Sequence, residues 1–201
     1  MPKDFPHWDN VYKTFRRWSA LGRFEAMHDR LRQMWRAREE RDAMPSTAVL
    51  DAQSMRSSPQ GGPVGYDAGK KVKGRKRNLV VDTLGLLMAV SVCAANLQDR
   101  DAGIYALASA VEKYPTVQRV YVDSAYAGKW AAAAEAKHGL TVEVVRHPAN
   151  RNVGRWVKAG QQDLFPETLA TGFTVLQKRW LVERTTPGTN AHDAWSCTMI
   201  A

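Results

Sequence analysis

Ala48-Val49-Leu50-Asp51 and Val120-Tyr121-Val122-Asp123 are two short apolar runs, and each stops at a carboxylate. Runs this short, bounded by polar residues and rich in branched or aromatic side chains, read as buried strands rather than helices. Working outward, Arg77 to Asp82 is a further strand. Thr83-Leu84-Gly85 separates it from an apolar run, Leu86 to Cys93, so the two predict an antiparallel hairpin. Asp101 to Lys113 carries Ile104, Leu107, Ala108 and Val111 at helical spacing, with Asp99 or Asp101 placed to cap its start. Trp130 to Lys137, rich in Ala and ending before Gly139, is a second helix, and Leu140 to Val145 alternates as another strand. With a last helix around Trp180 to Arg184, the order β, β-β, α, β, α, β predicts an α/β fold: a mixed sheet flanked by helices. Ser54 to Gly65 and Pro148 to Gly172 show no regular period.

Upstream of the first strand the texture is helical. Val11, Phe15, Trp18, Leu21, Phe24, Met27, Leu31 and Met34 recur every three or four residues, with Arg16, Arg17, Arg23, Arg30 and Arg32 between them. Gly22 divides this pattern into two helices expected to share a buried side. Their arginines either contact DNA or form the solvated face of an amphipathic support. Met44-Pro45-Ser46-Thr47 ends the helical pattern. The chain of 201 residues is 44% hydrophobic, enough for one α/β core with a helical extension. Twenty-nine Lys and Arg against 20 Asp and Glu give a net charge of +9, which favours a polyanionic partner. Cys93 and Cys197 alone make no disulfide framework and no zinc site, so a reducing cytoplasm is expected. The longest apolar stretch, Leu84 to Ala95, is too short to span a bilayer, and no membrane association is expected.

Ligands of open α/β sheets bind outside strand ends, so Asp51 and Asp123 on adjacent strands would meet at one rim. Glu183 lies far along the chain, where Leu176 and Trp180 can anchor a helix on the core and leave the acid on the same side. Two carboxylates about 4 Å apart repel by roughly 4 kcal/mol at an effective dielectric near 20, so such a cluster needs cations or raised pKa values. Hard oxygen ligands suit Mg²⁺ or Mn²⁺, and a pair of such ions supports in-line phosphoryl displacement without a protein nucleophile. The plainer alternative is that each strand-end Asp caps a turn or helix. Asp82 is read that way, because Thr83-Leu84-Gly85 follows it directly.

Lys70, Lys71, Lys73, Arg75, Lys76 and Arg77 place six positive charges in eight residues. They read either as a solvated loop or as phosphate contacts. Arg179 and Arg184 flank Glu183 and would grip a scissile phosphate or pair with an exposed acid. Tyr126 and Trp130 read as packing for the helix after Asp123, with base stacking as the sharper alternative. His7, His28, His138, His147 and His192 have no metal-binding spacing, and Gly61, Gly62, Gly65 and Gly69 lack the setting of a phosphate loop.

Four segments taken together sharpen the reading. They are Leu50-Asp51-Ala52-Gln53-Ser54, the run Gly74 to Gly85, Val122-Asp123-Ser124-Ala125-Tyr126, and the run Gly172 to Thr185. In this order they resemble bacterial insertion-sequence transposases of the Asp-Asp-Glu class, over about Val11 to Thr185. The resemblance implies a ribonuclease-H-like fold in which Asp51, Asp123 and Glu183 form the family triad and bind two Mg²⁺ ions. It also implies double-stranded DNA partners, namely terminal inverted repeats and target DNA, and a homo-oligomer when active. The DNA-contacting residues expected are Arg16, Arg17, Lys70, Lys71, Lys73, Arg75, Lys76, Arg77, Arg179 and Arg184. Arg179, four residues before Glu183, matches the arginine of the family pattern.

The sequence also departs from that pattern. Asn190 stands where the family places a lysine seven residues after the Glu, and only a short lead precedes Phe15-Arg16-Arg17-Trp18. Thr186-Pro187-Gly188 replaces an aromatic, Arg-rich helix and should stop any helix within a turn of Glu183. The domains expected are a helical segment over 1–45, a catalytic domain over 46–185, and an atypical tail over 186–201. The tail reads as the product of a frameshift, which predicts recognisable architecture with impaired catalysis. The alternatives are a related metal-dependent nuclease and a non-catalytic, basic DNA-binding remnant.

Overall fold

The computed structural model describes residues 4–57 and 61–145. Its sheet is built around β1 (Thr47–Arg56), whose two edges are used differently. On one edge β3 (Val72–Asp82) runs antiparallel to it, and on the other β5 (Arg119–Asp123) runs parallel. The far edge of β3 carries two partners in succession: β2 (Gly65–Asp67) along Val72 to Gly74, and β4 (Leu87–Ala94) along Arg75 to Val81. The short strand β6 (Thr141–Val145) extends the parallel side beyond β5. Parallel neighbours need crossovers, supplied here by α3 (Asp99–Lys113) before β5 and α4 (Lys129–His138) before β6. This is the expected ribonuclease-H-like mixed sheet flanked by helices.

The main core lies between the sheet and its crossover helices. Leu50, Val80, Met88 and Val120 from the sheet meet Leu107 and Ala110 of α3, with Ala134 of α4 beside them. The inner face of α3 is made of small residues, Ala102, Gly103, Ala106 and Ala110, which lets its backbone approach the strands closely. The opposite face of the sheet holds a second, smaller cluster: Val49, Val81 and Tyr121, flanked by Leu87 and Val145.

Two helices precede the sheet, as expected: α1 (Trp8–Ala20) and α2 (Arg23–Arg38). Gly22 joins them at φ +64°, a left-handed conformation that glycine adopts without a Cβ penalty. The expectation of a shared buried side fails. No residue of α1 is buried, and the buried residues of α2 are Arg32 and Arg36.

The reason is the surface that α2 meets, which is polar and carries both signs of charge. Asp82 is fully buried, and Arg36 Nη1 lies 2.5 Å from its Oδ2 while Arg36 Nε donates to the Asp42 carbonyl at 2.6 Å. The Arg32 guanidinium stacks 4.2 Å from the centre of the Tyr114 ring. Asp29 sits 2.8 Å from Lys113 Nζ and accepts a 2.8 Å hydrogen bond from the Tyr114 hydroxyl. These three residues fall on one helical face, so the polar stripe docks and the apolar stripe turns away. Asp82 also has the turn role read from the sequence, since Leu84 N–H and Leu86 N–H both donate to its Oδ1 at 2.9 Å.

The other differences have similar causes. The basic run expected as loop lies largely in β3, which starts five residues earlier than expected, at Val72. Gln98, not Asp99 or Asp101, occupies the N-cap of α3. Asp99 instead holds Lys76 Nζ at 2.6 Å, although as a first-turn acid it still favours the helix N-terminus. The 148–172 stretch, the helix around Trp180 and the 186–201 tail lie outside the described residues.

Two outcomes follow. Arg36→Ala leaves Asp82 buried without its cation and is expected to lower unfolding stability by about 3–5 kcal/mol in urea titration. For Asp29, burial alone would raise the carboxyl pKa, but hydrogen bonds from Lys113 and Tyr114 outweigh it and hold the group below its usual value. A depressed folded pKa means that this stabilisation is complete above the unfolded value of about 3.9 and is lost as pH falls through the folded one. The stability gap between wild type and Asp29→Asn should therefore be constant near neutrality and close progressively below about pH 4.

Candidate active site

The pairing of β1 with β5 runs Thr47 to Arg119, Ala48 to Val120 and Val49 to Tyr121. The pairing ends there, and Asp51 and Asp123 each lie two residues beyond its last pair. Both acids line one cleft, together with Val49, Leu50, Tyr121, Val122 and Val145. The cleft opens there because β5 ends at Asp123 while β1 runs on. Asp123 lies at its strand end as expected, and its Oδ1 accepts the Ala125 N–H at 2.8 Å, fixing the short 3₁₀ turn Ser124–Tyr126. Asp51 does not end its strand. β1 continues to Arg56, paired with β3 alone beyond Val49.

Behind the two acids lies Tyr126, fully buried. Its ring meets Trp130 edge-on at 4.8 Å, and Trp130 Nε1 donates to the Arg100 carbonyl at 2.9 Å. Tyr126 therefore packs the turn and has no face free to stack on a base. Gly103 makes room for it, since a Cβ there would stand 2.8 Å from Tyr126 Cε1 and 3.1 Å from its hydroxyl oxygen. Among the described residues that hydroxyl has no hydrogen-bond partner. Burial, followed by the charges of Asp99, Asp51 and Asp123, pushes its pKa well above the usual phenol value.

The expected DNA-contacting residues divide by setting. Arg16 and Arg17 are exposed on α1, and Lys70, Lys71 and Lys73 are exposed at and after the β2–β3 turn. Lys70 Nζ donates to the Ala52 carbonyl at 2.8 Å. Strand alternation puts Lys73, Arg75 and Arg77 on the same face as Asp51, with Arg77 opposite Gln53. Arg75 is buried there and donates to the carbonyls of Gly62 at 2.9 Å and Pro63 at 3.3 Å. Lys76 points to the other face and is buried between Asp99, the Leu97 carbonyl at 2.6 Å, and Asp67 at 3.7 Å. Arg75 and Lys76 thus spend their charge inside the protein, which a one-dimensional charge run does not reveal.

Glu183, Arg179, Arg184 and His147 lie outside the described residues. Among the described residues no three His, Cys, Asp or Glu side chains group closely enough to hold a metal. What the cleft does present is a pair of carboxylates with hard oxygen donors, a set that fits Mg²⁺ or Mn²⁺ once a third ligand is supplied. The Asp99–Lys76 and Asp82–Arg36 pairs were missed in the sequence because each joins residues more than 20 positions apart with no periodic signal.

Tyr126→Phe is expected to leave the melting temperature unchanged or higher, because an unpaired buried hydroxyl is removed at constant shape. Gly103→Ala should destabilise by about 1–3 kcal/mol through the clash with that ring. Thermal and urea unfolding of both variants checks the packing.

Among curated proteins no relative is found. Among solved structures, the HTLV-2 integrase catalytic core domain in complex with magnesium is 16% identical, with a TM-score of 0.35 over 50% of this chain and 60% of that one. The simian T-cell lymphotropic virus intasome in complex with PP2A regulatory subunit B56 gamma is 18% identical, with a TM-score of 0.39 over 72% and 38%. The Mos1 transposase paired-end complex with the left transposon end is 10% identical, with a TM-score of 0.32 over 57% and 40%. The chain spans less than two thirds of each of these chains, and nothing further rests on them. The family model described as "Transposase DDE domain" matches residues 42–186, from just before β1 to beyond Glu183. By that match, which covers well over half of its length, the chain belongs to the transposase DDE domain family.

Proposed function

We propose that this chain is the catalytic core of a DNA transposase that cleaves the ends of an insertion sequence and transfers them to target DNA, with Asp51, Asp123 and Glu183 as the metal-holding acids. The observation that supports this best is that Asp51 and Asp123, each two residues beyond the last pair of two neighbouring parallel strands, line one cleft. Two carboxylates so placed call for a cation. Two bound Mg²⁺ or Mn²⁺ ions would activate the attacking oxygen and stabilise the leaving one.

The chain's own residues then have separate tasks. Asp51 and Asp123 hold oxygen ligands toward the cleft, and the Ala125 N–H bond keeps the Asp123 carboxylate from rotating. The apolar cluster of Val49, Val81 and Tyr121, on the same face as Asp51, suits Leu176 and Trp180, which would carry Glu183 to the cleft. Arg16, Arg17, Lys71 and Lys73 take phosphates of the terminal repeats and target, while Arg179 and Arg184 flank the scissile phosphate.

A second reading is a basic DNA-binding remnant with decayed catalysis, favoured by Pro187-Gly188 directly after the Glu183 segment. Nicking of labelled element ends with Mg²⁺ or Mn²⁺ separates the two. Under the first reading Asp51→Asn, Asp123→Asn and Glu183→Gln each reduce nicking by at least about 100-fold while repeat binding persists. Equal nicking by all four proteins rejects the triad. Binding of the repeats with no nicking by the wild type establishes the remnant. In either case Lys73→Ala should lower the log–log salt slope of duplex binding by about 0.9.

A further inference from the structure

We propose that Gly103 and Tyr126 form a lock that positions Asp123 for its cation: the bare Cα of Gly103 seats the Tyr126 ring against α3, and the seated ring holds the turn that follows the acid. The proposal rests on the reading of Asp123 as a metal-holding acid. Gly103 and Tyr126 are positioning residues in it, acting through Asp123.

The starting observation is that the strand ladder does not fix Asp123 against Asp51. β5 pairs with β1 only as far as Tyr121 opposite Val49, while its pairing with β6 runs on to Asp123 opposite Val145. Toward β1, the last two residues of β5 therefore lack a strand partner. A metal site needs firmer support, since ligating groups must stay within about 0.5 Å of the productive geometry.

The chain just beyond Asp123 supplies it. Asp123 Oδ1 accepts the Ala125 N–H at 2.8 Å, which couples the carboxylate to the 3₁₀ turn Ser124–Tyr126. Tyr126 closes that turn and is fully buried, with its ring edge-on to Trp130 at 4.8 Å. Trp130 is in turn tied to the first turn of α3 by its Nε1 bond to the Arg100 carbonyl at 2.9 Å. That end of α3 is anchored to β3 through Lys76 and Asp99, 2.6 Å apart. The ring is thus gripped between two groups that both refer to α3, and α3 refers to the sheet.

Gly103 is where the grip has no slack. A glycine inside a helix costs about 0.5–1 kcal/mol relative to Ala, so its presence there calls for a packing reason. A Cβ at this position would stand 2.8 Å from Tyr126 Cε1 and 3.4 Å from Leu50 Cδ2. Carbon atoms settle at about 3.5–4.0 Å, so the ring would have to retreat by roughly 0.7 Å or more. The helix cannot give way instead, because Ala106 and Leu107 on the same face are packed into the main core. The displacement passes to the turn and to Asp123, and it exceeds what a metal ligand tolerates.

The test is Mn²⁺ binding to the full chain without DNA, read from loss of the free-ion signal in electron paramagnetic resonance. Wild type is expected to bind Mn²⁺ in a manner abolished by Asp123→Asn. Gly103→Ala and Tyr126→Leu should each weaken that binding by at least about 10-fold, whereas Tyr126→Phe keeps the ring and should bind as wild type does. Both residues act through one contact, so Gly103→Ala/Tyr126→Leu should bind no more weakly than Tyr126→Leu alone. Ala110→Gly, at a buried site further along α3, also costs folding stability and should leave the affinity unchanged, which separates positioning from a general loss of stability. If Gly103→Ala does not fold, the contrast between Tyr126→Leu and Tyr126→Phe decides. Wild-type affinity in Gly103→Ala or in Tyr126→Leu, or additive losses in the double variant, would overturn the lock and leave the metal reading standing. Mn²⁺ binding that is absent, or that survives Asp123→Asn, would overturn both.

Discussion

The parallel pairing of β1 with β5 is the constraint on which the rest of this molecule depends. A parallel pair cannot be closed by a turn, so the chain must leave the sheet and return, and α3 is the crossover that does so. Its small-residue face sets how closely it packs, and its length sets where β5 re-enters. The same pairing brings two acids 72 positions apart in the chain to the lining of one cleft.

A second theme is that buried charge pairs fix how the elements of this domain dock on one another. Lys76 lies between Asp99 and Asp67, and Arg36 meets Asp82, all of them largely withdrawn from water. Charges in such settings are tolerated only when paired, so each pair dictates which neighbour must be present. Lys76 thereby ties β3 to the first turn of α3 and to β2. Arg36 in turn dictates which side of α2 faces the sheet. The exposed apolar stripe of the hairpin is thus a consequence of where Asp82 was buried.

The two faces of the sheet divide the work accordingly. The face under α3 carries the main core, with Tyr126 wedged against Gly103 behind the acids. The other face carries Asp51, the second apolar cluster and the side chains of Lys73 and Arg77. Membership of the transposase DDE domain family and a net charge of +9 accord with a polyanionic partner.

The sequence by itself determined the identity and order of nearly every described element, because strands and helices announce themselves through periods of two and 3.6 and through glycine punctuation. It also singled out Asp51 and Asp123, since a carboxylate interrupting or closing a short apolar run is a local signal. Tertiary structure alone decided that the two acids line one cleft, that Arg75 and Lys76 are buried among protein oxygens, and that α2 docks by its arginines. Those outcomes depend on partners distant in the chain. Periodicity reports that a helix has two unlike faces, but only the charge waiting on the surface it meets decides which face turns inward.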